Sequence, residues 1–223
     1  MDRVAVIPAY NEAGTIGRTV KALAGLGMFE SIYVVDDGST DSTSVEASDA
    51  GARVVVNGRN LGKGGSLNRL LSHLEFDELL LIDADLGDSA SLAGSLLREL
   101  ASGSCDIAVA AFPPAEKKGG FGLAQGTGRL AITLLTGRVM KSPVSGQRAL
   151  RREAFEQVFP FEERFGMEVG MTLDALRAGL FLKEVPACMS HRETGRDIAG
   201  FAHRGRQLKD IIGASLRRLG REK

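Results

Sequence analysis

Short apolar runs alternate with helix-spaced segments through the first half of the chain, and this alternation constrains the fold most. RVAVIP (3–8), SIYVVDD (31–37), RVVVNG (53–58), ELLLIDAD (78–85) and CDIAVAAF (105–112) read as five strands. Between them, the spacing of Ile16, Val20, Leu23 and Leu26 predicts a helix closing on Gly27. STDSTSVEASDAGA reads as a capped helix, KGGSLNRLLSHL as a third and residues 89–101 as a fourth. Strands with little internal polarity, separated by helices, predict an α/β fold. Its mostly parallel central sheet would be covered by helices on both faces.

The pattern breaks at residues 112–126, where FPPAEKKGGFGLAQG has no apolar period and reads as a loop. Beyond it the expected order is a helix over 127–140, a short strand in VSGQRALR, helices over 152–158 and 167–178, a strand over 181–186 and a basic helix from 197. A chain of 223 residues, 43% of them hydrophobic, can bury one large core, so residues 1–223 are expected to form a single domain. Its second half would supply the other wall of a cleft.

The formal net charge is zero, so no global field draws in nucleic acid or membrane. Locally, residues 196–223 carry eight Lys/Arg against three Asp/Glu, a net of +5. Cys105 and Cys188 sit in apolar contexts and are expected to be buried free thiols in a reducing compartment. Met1 to Pro8 moves straight into a strand pattern, which predicts no signal peptide, and LAITLLT (130–136) is too short to span a bilayer. The expected location is cytoplasmic.

In open parallel sheets, ligands sit outside the carboxyl ends of the strands. Asp36 and Asp37 fall at the end of the second predicted strand, and Asp83 and Asp85 at the end of the fourth. Repelling carboxylates need a positive partner. Mg²⁺ and Mn²⁺ take oxygen ligands, and Mg²⁺ typically uses one or two carboxylates plus phosphates. A dication with a diphosphate is one reading of Asp83-x-Asp85; a solvated strand end is the other. Asp88 reads better as a helix cap. GRNLGKGGSLN (58–68) places Lys63 at a glycine-rich helix start that suits an anion, or that is simply a turn with a solvated lysine. In DDGSTD (36–41), Gly38 marks a tight turn, and the two aspartates are candidates to accept from a base or ribose.

In this order and spacing, VIPAYNEAGTI, VVDDGSTD, NLGKGGSLN and LLLIDADLGD resemble the nucleotide-diphospho-sugar glycosyltransferases of the GT-A fold, family 2 type. That resemblance implies one GT-A (Rossmann-like) domain, a UDP- or GDP-sugar donor, Mg²⁺ or Mn²⁺ at the D-x-D motif, and glycosyl transfer. Residues 1–111 would be the nucleotide-binding half, 112–196 the acceptor and sugar half, and 197–223 a basic C-terminal helix. Pro8, Tyr10 and Glu12 would wall the nucleoside pocket, Asp37 would contact the base, and Lys63 the base or phosphate.

SPVSGQRALRREAF (142–155), RFGMEVGMTLDALRAG (164–179) and CMSHRETGRD (188–197) are similar to the glucosyl-3-phosphoglycerate synthase group. By that likeness Ser145 and Gly146 would shape the acceptor and donor-sugar pocket, Glu168 would bind sugar hydroxyls, and His191 would be the third protein ligand of the metal. Gln147 departs from the group's acidic residue. Read without the likeness, His191 is equally a surface histidine, and Glu168 a first-turn glutamate favouring its helix dipole.

The implied chemistry is Lewis-acid assistance to a leaving nucleoside diphosphate, with the cation on Asp83, Asp85 and His191. Lys63 and the basic tail, including Arg192, Arg196, Arg204 and Arg206, would neutralise developing charge. Asp85 and Glu168 are the catalytic candidates, Glu168 as base if the reaction inverts. The acceptor stays open between a small phosphorylated acid and a lipid phosphate. The alternatives are a sugar-phosphate nucleotidyltransferase or a catalytically weak sugar-nucleotide-binding protein. No nucleic-acid partner is expected; peripheral contact of the basic C-terminal helix with the inner membrane face, and a homodimer, remain open.

Overall fold

The computed structural model describes residues 1–111, 121–162 and 166–189, with Gly213 alone beyond them. His191, the basic tail arginines and the expected C-terminal helix therefore lie outside the described residues. Seven strands form one sheet: β1 (Arg3–Ala9), β2 (Ser31–Asp36), β3 (Arg53–Val56), β4 (Glu78–Leu81), β5 (Ile107–Ala111), β6 (Arg148–Arg151) and β7 (Leu182–Pro186). Their order is β3-β2-β1-β4-β6-β5-β7. Neighbours β3, β2, β1 and β4 run parallel, as do β5 and β7. Strand β6 is inserted antiparallel between β4 and β5. The start of β6 thus arrives at the carboxyl end of β4, which no parallel strand could do.

Both sheet faces are buried, which is why the strands read as near-continuous apolar runs. Ala5, Ile7, Leu80 and Ala108 meet α1 (Ile16–Ala24) and α4 (Gly94–Ala101) through Val20, Leu23, Leu96 and Leu100. Val4, Val6, Leu79 and Leu81 face the other way, toward α3 (Lys63–Leu71), α6 (Arg152–Val158) and α7 (Met167–Arg177). Helix α2 (Thr43–Asp49) buries Ala47 in the first of these layers, and α5 (Phe121–Thr136) buries Ile132 in the second.

Two boundaries differ from expectation. Instead of one helix over 89–101, a 3₁₀ segment (Ala84–Ala93) precedes α4 and breaks at Gly87, which has φ 53° and ψ −135°. The fully buried Thr19 explains the break. Its hydroxyl donates to the Ala84 carbonyl and accepts from Gly87 N–H, each at 2.8 Å, locking a turn that no α-helix could accommodate. Asp88 does not cap a helix; it is exposed and pairs with Arg18 at 3.0 Å.

Helix α5 begins at Phe121, inside the expected loop, and stops before Gly137 (φ 69°). The expected helix over 127–140 thus starts earlier; glycines hide its first turns from periodicity, since each costs about 1 kcal/mol of helix propensity. Gly128 nevertheless has a packing role. A Cβ there would lie 3.2 Å from Val169 and 3.3 Å from Val144, so a larger residue would push these side chains back by a few tenths of an ångström. Cys105 is buried as expected, but Cys188 is exposed: beyond β7 it alternates with buried Ala187 and Met189.

At the amino ends of β1 and β4, Arg3 donates to Glu78 Oε2 from Nε at 2.7 Å and from Nη2 at 2.5 Å. Glu78 is fully buried and its Oε1 has no partner among the described residues. Arg3→Ala is expected to strand that charge and lower unfolding free energy by about 3 kcal/mol. Urea unfolding measures the loss, and Glu78→Gln in the same background should recover most of it.

Candidate active site

The parallel register brings the carboxyl ends of β1, β2, β3 and β4 to one edge. Tyr10, Asp37, Asn57 and Asp83 follow those ends in turn. The β4–β6 register pairs Leu81 with Arg148, and the residues running on from it set Gly146 against Asp83. A Cβ at Gly146 would sit 2.5 Å from Lys63 Nζ and 2.8 Å from Asp83 Oδ2. Glycine is there because the space is filled by an ion pair.

Lys63, the first residue of α3, lies between two carboxylates. Its ammonium is 2.6 Å from Asp83 Oδ1 and 2.8 Å from Glu168 Oε1 in the first turn of α7. Burial, the largest single influence on this amine, opposes its charge. The two carboxylates and their hydrogen bonds outweigh it, holding the pKa above the usual lysine range, so Lys63 is an ammonium at any physiological pH. Residues far apart in sequence thus share one charge centre: Lys63, Asp83 and Glu168, with Gly146 against it.

Behind the centre stands a network that sequence reading missed. Fully buried Gln147 donates from Nε2 to Asp83 Oδ2 at 2.5 Å and accepts from Ser145 Oγ at 3.2 Å. Both Asp83 oxygens are therefore held, one by Lys63 and one by an amide. Arg148, also fully buried, donates to the Ser145 and Pro143 carbonyls at 2.9 and 3.2 Å and to Thr172 Oγ1 at 3.0 Å. The Thr172 hydroxyl in turn donates to the Glu168 carbonyl at 2.9 Å. Burial pulls the Arg148 pKa down to about 10, against the charges of Glu168 and Glu184, and it remains cationic at neutral pH. It joins the loop before β6 to α7, fixing Gly146 and Glu168 together. An arginine in VSGQRALR reads from sequence as a surface residue, so only the antiparallel insertion of β6 reveals it.

The turns after β1 and β2 are clasped to each other. Asn11, with φ 55°, accepts from Thr40 N–H at 2.8 Å through its side chain, and its own N–H donates to Ser39 Oγ at 2.9 Å. Glu12 N–H donates to Thr43 Oγ1 at 2.8 Å. Asp36 and Asp37, both buried, turn inward. Asp36 accepts from Ser39 N–H and the Ser44 hydroxyl. Asp37 accepts from Leu61 N–H at 2.7 Å, Gly62 N–H at 2.8 Å and Asn57 Nδ2 at 3.1 Å. It thereby holds the loop that delivers Lys63. Pro8 is half-buried, Glu12 likewise, and Tyr10 is 48% exposed beside them.

Asp85, partly buried in the first turn of the 3₁₀ segment, is separated from Asp83 by buried Ala84. Among the described residues no three His, Cys, Asp or Glu side chains converge as a ready metal cage. Two carboxylates at a strand end, with a cation-filled space beside them, still fit a hard dication that takes its remaining ligands from a bound phosphate.

Lys63→Met should leave Asp83 and Glu168 facing each other without the charge between them. A loss of about 1–2 kcal/mol at neutral pH is expected. Because the folded variant then disfavours the charged carboxylates, the deficit should shrink as pH falls toward about 4. Urea midpoints of both proteins across pH test this; a constant gap would count against the charge centre.

Among known proteins, the chain is 30% identical over 201 residues to glycosyltransferase AglJ of Haloferax volcanii, covering 88% of this chain and 66% of that one. It is 33% identical over 205 residues to the glucosyl-3-phosphoglycerate synthase of Mycolicibacterium smegmatis, covering 78% and 64%. The chain thus spans less than two thirds of the length of these curated relatives. The Mycobacterium tuberculosis glucosyl-3-phosphoglycerate synthase, solved with Mn²⁺, UDP and glucosyl-3-phosphoglycerate, superposes with TM-score 0.84 at 25% identity, covering 100% of this chain and 81% of that one. The same enzyme solved with Mg²⁺ and UDP gives TM-score 0.83 at 26% identity, covering 100% and 80%. The model described as Glycosyl transferase family 2 matches residues 4–159, a stretch that contains every strand end of the site edge, and the chain belongs to that family.

Proposed function

We propose that the protein transfers a glycosyl group from a nucleotide-diphosphate sugar, UDP-linked by preference, to a phosphate-bearing acceptor. The observation that carries this reading is the charge centre of Lys63, Asp83 and Glu168 at the carboxyl edge of a family 2 fold, with Gly146 pressed against it. The mycobacterial synthase that shares the fold binds UDP with Mn²⁺ or Mg²⁺, and phosphoglyceric acid, which supports the donor and the acceptor class.

In this reading Pro8, Tyr10 and Glu12 wall the nucleoside, Tyr10 offering an exposed ring. Asp37 acts mainly by holding the 57–62 loop, leaving its free lone pairs for the base. Lys63 meets the diphosphate, exchanging part of its interaction with Asp83 for phosphate oxygens. Asp83 and Asp85 would hold Mg²⁺ or Mn²⁺, and His191, outside the described residues, would complete the protein ligands. Such an ion supplies Lewis acidity toward the leaving diphosphate when bound. Ser145 and Gly146 shape the space where the donor sugar lies. Glu168, fixed by Lys63 and by the first turn of α7, accepts from sugar hydroxyls. The acceptor is either a small phosphorylated acid or a lipid phosphate.

Two variants test the assignment. Asp85→Ala should abolish the Mn²⁺-dependent part of the thermal shift given by UDP-sugars while the melting temperature of the free protein stays near wild type. Gly146→Ala should weaken UDP–Mn²⁺ binding by about tenfold or more, because the new methyl displaces Lys63 Nζ. Wild-type protein that releases no sugar from UDP- or GDP-sugars with Mn²⁺, and instead exchanges pyrophosphate into a nucleotide sugar, would replace the transfer reading with nucleotidyl transfer.

A further inference from the structure

Helix α5 has an apolar stripe on the side turned away from the site. Gly128 and Ile132 face inward, and Gly128 packs beside Val169, one residue from Glu168. On the outer side Leu130 is 59% exposed and Leu134, one turn on, is 75% exposed. Val139, 70% exposed, follows the helix end. Arg129 brings that end back alongside, donating from Nε to the Met140 carbonyl and from Nη2 to the Lys141 carbonyl, each at 3.0 Å. Arg129, Arg138 and Lys141 are exposed around the stripe. From residue 121 to 141 the sequence contains no Asp or Glu.

Glu184 meets the end of this segment, but its oxygens accept from Lys141 N–H at 3.0 Å and Ser142 N–H at 2.6 Å, so the exposed leucines remain bordered by an excess of cations, which points to one class of partner. A second copy meeting this face symmetrically would bring its own three cations against these three, with no acid from residues 121–141 to answer them. The chain's own residues 196–223, net +5, are mismatched in the same way. An anionic bilayer surface satisfies both features, since leucines enter the acyl boundary while arginine and lysine stay at the headgroups. None of the described helices is long and apolar enough to cross a membrane. We propose that α5 and the segment to Lys141 form a peripheral membrane-docking face that rests on anionic lipid. Since the inner side of the same helix packs on α7, which carries Glu168, docking would set that side of the molecule near the headgroups. The assignment rests on the exposed residues and does not depend on the transfer reading.

Co-sedimentation with vesicles tests it, using phosphatidylcholine alone and an equal mixture of phosphatidylcholine and phosphatidylglycerol. Wild type should bind the anionic vesicles, bind neutral ones far less, and be released by salt. Leu130→Glu/Leu134→Glu should bind at least about tenfold more weakly, and Arg138→Glu about fivefold or more, with unchanged circular dichroism and UDP–Mn²⁺ thermal shift. Absence of wild-type binding overturns the proposal. Equal binding by the leucine variant also overturns it, because the lipid contact would then belong to another part of the chain. So would a dimer in sedimentation velocity that the leucine variant dissolves, which would make the stripe a subunit interface. Loss of donor binding without loss of vesicle binding would strike the transfer reading alone.

Discussion

The ammonium of Lys63 makes the rest of the site edge possible. A strand that runs into Asp83-x-Asp85, facing a helix whose first turn carries Glu168, gathers negative charge where the sheet stops and water is partly excluded. In that setting an unpaired carboxylate costs several kcal/mol. One amine between Asp83 and Glu168 offsets most of this, and its reach fixes the distance between α3, the end of β4 and α7. The antiparallel entry of β6 follows from the same requirement. Only a strand arriving from the opposite direction brings a side-chain-free residue and an amide donor against Asp83.

Much of this arrangement was legible in the sequence, for a physical reason. Strand–helix alternation is a local pattern, and in a parallel sheet it carries the position of every carboxyl end with it. Asp37, Lys63, Asp83 and Asp85 could therefore be assigned to one edge before any contact was known. Gly146 and Glu168 came from motif likeness, and the structure adds the reason for glycine. The parts that stayed hidden depend on long-range pairing. Nothing local marks Arg148 as buried, since its hydrogen bonds go to carbonyls of its own loop and to Thr172 on a distant helix. Thr19 likewise looks like one polar residue in an amphipathic helix, yet it sets the turn that carries Asp85. The helix expected over 127–140 is there as α5, but its start at Phe121 was read as loop, because glycines erase the apolar period; one of them, Gly128, serves contact with Val144 and Val169.

Asp36 and Asp37 show how a correct location can conceal a second task. Both lie at the ligand edge, as strand-end position predicts, but their oxygens first satisfy backbone N–H groups of neighbouring turns. With Asn11 bridging to Thr40, the turns after β1, β2 and β3 form one connected unit. Any ligand entering there meets loops already tied together, so little conformational entropy remains to be lost on binding. The sequence signal for a binding loop and the signal for a stiff loop are the same aspartates.

Gln147 ties these threads together. The described carboxylates of the centre and its neighbour, Asp83, Asp85 and Glu168, outnumber Lys63, with Arg148 buried behind the loop as the further positive charge. An amide at 147 adds no charge and donates to Asp83 Oδ2 while accepting from Ser145. A carboxylate in its place, as the acidic version of the motif would have, faces Asp83 with no proton to share at neutral pH. It would have to turn away or find a cation of its own. The amide therefore holds Asp83 Oδ2 without a second cation, while Lys63 holds Oδ1 and reaches Glu168.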